Sequence, residues 1–217
     1  SEEGLNTLKR VSQSTITMID AYGRSLENSV NGLANIFADN FSEPFALEAT
    51  PTIRIGDRET PTLRSGKTVL NLNFSAVDRF HNTSGGIATV FARQGNDFVR
   101  ISTSLKNERG ERAIGTLLDQ KHPAYGSVLK GETFLGKASL FGRDYLTKYL
   151  PVKNEKNEVI GILFVGLDFT EGLKHLKEKI RTTKIGAKGY VYVLDANKGT
   201  NEGSLIVHPD LEGKNIL

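Results

Sequence analysis

Four side chains in the middle of this sequence have the chemistry to hold a small anion. Arg100 lies in Asp97-Phe-Val-Arg-Ile-Ser-Thr103, and Tyr145, Thr147 and Lys148 lie in Tyr145-Leu-Thr-Lys-Tyr-Leu150. A guanidinium can offer a carboxylate two parallel N–H donors, and such charge-assisted bonds are about twice as strong as neutral ones. The ammonium and the two hydroxyls add further donors. Bond-breaking chemistry finds no comparable set. There is no Gly-x-Ser-x-Gly, phosphate-binding loop, dinucleotide fingerprint or His-Glu-x-x-His. The sequence has no cysteine, and His81, His122, His175 and His208 lack the spacing of metal ligands. A hydrolase would have to rest on acidic pairs such as Asp195 and Asp210, for which nothing else argues. The expectation is therefore a binding protein, with no enzyme activity, no metal and no cofactor.

The elements that must position these groups read as antiparallel strands. Thr89 to Arg93 and Asp97 to Thr103, joined by Gln94-Gly-Asn96, have the length and turn residues of a hairpin, and Tyr145 to Val152 and Val159 to Phe169 follow as two more strands around Asn154-Glu-Lys-Asn. A period of two puts Phe98, Arg100 and Ser102 on one face of their strand. Whether that face looks into a pocket or into solvent stays open. The same period puts Tyr145, Thr147 and Tyr149 on one face and Leu146, Lys148 and Leu150 on the other. Tyr145 and Lys148 can then share a pocket only if a bulge turns one of them. Between the two pairs, His122-Pro leads to a short helix near Ala124 to Leu129, closed by Gly131. Tyr125 on that helix and Phe141 beyond it are either packed aromatics or ligand contacts. Asp168 ends its strand as either a ligand group or a cap for a helix that begins near Thr170 and runs to about Arg181.

Around this centre the chain changes character twice. From Leu5 to about Asn40 it has no proline, and its apolar residues recur three or four apart, which makes an amphipathic helix of about ten turns. Residues 42 to 75 carry Pro44, Pro51 and Pro61 and read as a β-rich connection with short strands at Thr52 to Ile55 and Val69 to Asn73. After Gly186 another pattern begins, with Gly189-Tyr-Val-Tyr-Val-Leu-Asp195 and Ser204-Leu-Ile-Val-His-Pro209 as a hairpin with a long connection. The division expected is a long helix over 1–40, a ligand-binding unit over 41–182, and the start of a second unit over 183–217.

A net charge of +3 with interspersed signs gives no surface for nucleic acid, and the basic run from Lys174 to Lys184 repeats as a solvated helix face. The longest apolar run, Val159 to Leu167, falls well short of the roughly 20 residues of a membrane helix. Ser1-Glu-Glu-Gly is not laid out as a signal peptide. A cytoplasmic protein, or a soluble part of something larger, fits both observations.

Taken in order, Thr89 to Thr103, Gly115 to Ala124, Leu140-Phe-Gly142, Tyr145 to Pro151 and Gly161 to Phe169, then Gly189-Tyr-Val-Tyr-Val-Leu-Asp and Val207-His-Pro with Gly213-Lys-Asn, resemble the fused Cache 3 and Cache 2 sensor domains. These are extracytoplasmic ligand-binding regions found mostly in bacterial methyl-accepting chemotaxis receptors. The resemblance covers nearly the whole chain, which departs from the family by ending after the first two strands of the second Cache unit. It implies an α+β fold, with a long N-terminal helix and a PAS-like antiparallel sheet whose pocket lies under a helix and loops. It also implies a periplasmic location in a membrane-anchored receptor. The function expected is sensing of a small organic anion, a short carboxylate, with Arg100, Tyr145, Lys148, Thr147, Phe98, Tyr125, Phe141 and Asp168 as candidate ligand residues. Amino-acid-binding relatives use an aspartate near the place of Asp168 for the ligand ammonium, so Asp168 separates two ligand classes. The partners expected are that ligand and a second copy through the long helix. Alternatives are the sensor of a histidine kinase or diguanylate cyclase, an amino-acid-binding Cache unit, or a non-sensory helical assembly module.

Overall fold

The proline-free N-terminal pattern forms one helix, α1, over Glu2–Ala38. A computed structural model describes residues 1–182 and, beyond them, four short strands at Lys184–Ile185, Gly189–Tyr190, Val193–Leu194 and Leu205–Val207. Two compact units make up the chain, Asn28–Asp168 on one hand and Ser1–Glu27 with Phe169–Leu217 on the other. The fold is α+β.

In the larger unit the proline-rich stretch after α1 becomes a small antiparallel sheet. Its strands are β1 (Phe45–Ile55), β2 (Arg58–Ser65) and the short β3 (Thr68–Val69). Strand β1 is bulged between Glu48 and Ile53, where Pro51 interrupts the ladder. Helix α2 (Ser75–Ser84) follows, ends on the left-handed Gly85, and buries Val77 and Phe80. Two inward residues are too weak a periodic signal to mark a helix in the sequence.

A five-stranded antiparallel sheet then forms from β4 (Ile87–Gln94), β5 (Asp97–Thr103), β6 (Phe134–Leu140), β7 (Arg143–Lys153) and β8 (Val159–Asp168), in the order β5-β4-β8-β7-β6. Strand β8 is central, and its first eight residues are buried. Burial on both faces explains why its apolar run does not alternate. Gly161 lies where β8 passes β4, and a Cβ there would fall 2.4 Å from the Phe91 carbonyl oxygen. Edge strand β6 leaves no strand signal in the sequence, because Gly136, Lys137 and Ser139 dilute its apolar character.

The two faces of this sheet have different covers. On one, Phe91, Phe98, Tyr149, Ile162 and Phe164 pack with Leu105 and Leu118 of the connecting chain and with Ala124 and Val128 of α3 (Pro123–Leu129). The lid also pairs with the edge of β5. Arg100 N–H donates to Thr116 O (2.9 Å), Gly115 N–H to Arg100 O (2.8 Å) and Leu118 N–H to Phe98 O (3.1 Å). On the other face, the Lys148 ammonium donates to Asn31 Oδ1 of α1 (2.8 Å).

In the smaller unit, Leu176 and Ile180 of α4 (Thr170–Arg181) pack with Val11, Met18, Ile19 and Tyr22 of α1. Phe169 is the N-cap, its side chain makes no capping bond, and Thr170 is the first helical residue. Strand Lys184–Ile185 pairs antiparallel with Gly189–Tyr190, and Val193–Leu194 with Leu205–Val207. Asp195, His208 and Asp210 lie outside the described residues.

Candidate functional site

Strand pairing decides which groups meet under the lid. Arg100 pairs with Phe91 and Phe91 with Ile162, so these three form one row across the sheet; Thr89, Phe164, Tyr149 and Phe134 form the next. A register shift between Val90 and Phe91 sets Arg100 and Phe98 on this side and Ser102 on the other. The face that holds Arg100 is thus the lidded one.

Arg100 is boxed in by apolar and hydroxyl groups. Its guanidinium carbon sits 4.8 Å from the centroid of the Phe91 ring, a cation–π contact, and one terminal nitrogen donates to the Thr116 hydroxyl. Its Nε is buried and has no hydrogen-bond partner, and no carboxylate among the described residues pairs with this cation. Burial lowers its pKa to about 10, so it stays charged at neutral pH. Burying an ion costs far more when it is unpaired.

Tyr149 faces this cation from β7. It is buried, its ring meets Phe164 at 4.8 Å and Phe134 at 6.0 Å, and burial pushes its phenol up to about 12 against the pull of Arg100. It therefore remains a protonated hydroxyl, able to donate. His122 closes the wall, with its ring 5.5 Å from Tyr149 and 5.8 Å from Phe134. Its Nδ1 accepts from Ala124 N–H at 3.0 Å and caps α3, while burial holds its pKa below the usual histidine range. The neutral ring then carries its proton on Nε2.

The other expected residues distribute unevenly. Phe98 is fully buried beside Arg100's row, and Tyr125 packs edge-on against it at 6.0 Å, with its hydroxyl donating to Asn96 O. Thr147 is on the same face, yet its hydroxyl donates to Gly136 O (2.7 Å) and is fully buried. Tyr145 is also on this face, opposite Asp168 on β8, and burial raises its phenol. The carboxylate of Asp168 accepts from Arg143 Nε. Level with Ile162, Arg100 is six residues (162 to 168) from Asp168's row, about 20 Å at roughly 3.3 Å per residue. The two charged groups therefore belong to widely separated rows of the sheet.

Two expectations are corrected. The register of β7 is regular from Tyr145 to Val152, so no bulge turns Lys148 inward, and it lies on the α1 side with Asn31. Phe141 sits at φ +49° in the turn between β6 and β7 and is exposed, away from the walls of the site. Tyr149, His122 and Thr116 are the residues that sequence reasoning missed. Tyr149 was legible from its shared period with Tyr145 and Thr147, and His122 from its place before Pro123, since proline favours the first turn of a helix. Thr116 had no local signal.

Residues 4–217 match the family model of the Cache 3/Cache 2 fusion domain. No curated protein matches the chain. Among solved structures, the ligand-binding domain of the Pseudomonas aeruginosa amino acid chemoreceptor PctC in complex with GABA is similar over 97% of this chain and 78% of that one, with 16% identity and a TM-score of 0.49. The sensory domain of the Campylobacter jejuni chemoreceptor Tlp3 is similar over 84% and 66%, with 11% identity and a TM-score of 0.43. The extracellular domain of the putative histidine kinase mmHK1S-Z2 is similar over 96% and 74%, with 12% identity and a TM-score of 0.48. With the family model matched over nearly its whole length, the chain belongs to the Cache 3/Cache 2 fusion domain family of sensor domains.

Proposed function

We propose that this domain senses a small organic anion, a short carboxylate, which binds to Arg100 under the lid as the extracytoplasmic part of a membrane-anchored chemotaxis receptor. The observation that carries this reading is the buried, unpartnered Nε of Arg100, whose guanidinium pairs with no carboxylate among the described residues. A ligand carboxylate supplies the missing charge and takes the fork of Nε and a terminal nitrogen as a bidentate pair. The Tyr149 hydroxyl is a further donor within the field of Arg100, and the rings of Phe91, Phe98, Tyr149 and Phe164 limit the ligand's size. An amino acid fits less well, because Asp168 already accepts from Arg143 and lies too far along β8 to reach the same molecule.

Signalling follows if the ligand prefers one arrangement of the lid, since only differential affinity shifts a two-state equilibrium. Thr116 belongs to the lid segment that pairs with β5 and also holds the Arg100 guanidinium, so an anion on Arg100 acts directly on that segment. A second copy packs on α1 along its exposed Leu5, Leu8 and Ile16. Sedimentation of the wild type against Leu8→Glu tests that pairing, and an unchanged mass would remove it.

Calorimetric titration with acetate, propionate, pyruvate and succinate, each against its amide or alcohol analogue, tests the ligand class. At 100 times its dissociation constant a true ligand stabilises the fold by about 2.7 kcal/mol. Binding of one carboxylate that Arg100→Ala abolishes is the expected result. Binding that ignores Arg100, or equal binding of the neutral analogue, would remove the proposal.

A further inference from the structure

Behind the sheet, on the side opposite Arg100, is a cavity of about 310 Å³ bounded by the segment that leaves α1, the β2–β3 hairpin, α2, and the outer side of β4 and β5. That volume is at the lower end of ligand-binding pockets. Val90 and Ser102 contribute its floor, and both belong to the pleat that points away from Phe91 and Ile162.

The chemistry of the walls selects a ligand. Ser65 and Ser102 are buried, and each hydroxyl donates its proton into the protein, to Glu43 O (3.0 Å) and Asn73 O (2.7 Å). What these hydroxyls still have to offer is lone pairs, so the floor accepts hydrogen bonds. Leu70, Val77 and Val90 supply a buried apolar wall beside them. Two exposed side chains of opposite charge, Glu43 and Arg79, are the charged residues of the lining, beside the further hydroxyls of Ser42, Thr68 and Ser75. The Glu43 stem packs over Gly66, where an added Cβ would come within 2.7 Å of it, which brings its carboxylate to this rim. Glu43 pairs with no cation among the described residues, and Arg79 uses a single nitrogen, to Asn40 Oδ1 at 3.1 Å.

We infer that this cavity is a second small-molecule site, separate from Arg100, and that it takes a small zwitterion bearing an ammonium and a carboxylate. The ammonium gives its three N–H donors to the serine lone pairs and to Glu43, and the carboxylate meets Arg79. A short aliphatic part lies on Leu70, Val77 and Val90. Neither a simple anion nor a simple amine satisfies both rim charges. An occupant would brace the Asn40–Glu43 segment, just beyond α1, against α2.

The test is a methyl NMR titration of the 1–217 chain with L-alanine, L-serine and β-alanine, with acetate and ethylamine as controls. The expected result is a saturable shift of the Leu70, Val77 and Val90 methyls with at least one zwitterion, no matching shift at Ile162, and binding weakened about tenfold or more by Glu43→Gln and by Arg79→Gln. Both substitutions are at exposed positions, so the fold survives them. The inference falls if none of the three zwitterions shifts those methyls saturably, if the shifts survive both substitutions, or if acetate alone produces them. An acetate response at Ile162, on the lidded face, reads the Arg100 site independently, so the two sites can fail separately.

Discussion

Arg112 grips both carboxylate oxygens of Asp78, with Nη1–Oδ1 at 2.6 Å and Nη2–Oδ2 at 2.7 Å, and so ties the lid to α2. The same guanidinium donates to Thr103 O (2.9 Å) and stacks 4.1 Å from the centroid of the Phe74 ring. A two-point pair fixes direction as well as distance. The chain between β5 and α3 is thereby anchored at its far side as well as along β5.

Removing this latch loosens the lid more than the fold. Both partners are partly exposed, so Arg112→Ala costs about 1 kcal/mol in urea unfolding, between a surface pair and a buried one. Amide exchange of residues 105–118 should rise well beyond that of β8. Equal loosening throughout the sheet would show that Arg112 serves global stability only.

Acid should release the same latch. The hydrogen bond from Arg112 holds the Asp78 carboxyl below its ordinary value of 3.8. A lowered folded-state pKa means that the stabilisation is fully present above about 3.8 and is lost as pH falls through the folded value. Stability measured between pH 5 and pH 2 should fall less steeply in Asp78→Asn than in the wild type, and parallel curves would contradict this.

His122 acts in a higher window. Burial lowers its pKa from 6.5, so as pH falls below 6.5 the unfolded chain takes a proton that the folded chain refuses, and stability drops until the folded value is passed. Protonating Nδ1 also breaks the cap on Ala124. His122→Asn keeps a capping acceptor and should remove this slope between pH 7 and pH 5. A slope that persists in the variant would place its source elsewhere.

Lys148→Met separates the two faces of β7. With its ammonium on Asn31, Lys148 contributes a side-chain hydrogen bond of about 1 kcal/mol and nothing to an anion under the lid. Carboxylate affinity should therefore be unchanged, whereas Tyr149→Phe should weaken it several-fold. A loss of affinity in Lys148→Met would show that the strand turns over on binding.

Gly161→Ala tests the closest approach within the sheet. Its added methyl would sit 2.4 Å from the Phe91 carbonyl oxygen, backbone that cannot step aside, so a loss of about 3 kcal/mol or more is expected by denaturant unfolding. A near-neutral result would mean that β4 and β8 separate more easily than their pairing implies.

Local order determined much of this protein in advance. Proline-free periodicity made α1, the Gln94-Gly-Asn96 turn made the first hairpin, His122-Pro opened α3, and alternation in β7 already set Lys148 against Tyr145. Those features depend on residues within a few positions of one another, and backbone sterics and burial act at that range. Helix α2 and edge strand β6 were not legible, since each buries too few side chains to leave a period. The site itself was decided by tertiary structure. Only the cross-strand register separates Arg100 from Asp168, and only chain folding from 16 residues away brings Thr116 to Arg100. Whether a charge finds a partner depends on every segment packed around it, and that is how the Nε of Arg100 came to be buried without a hydrogen-bond partner while Asp168 took Arg143.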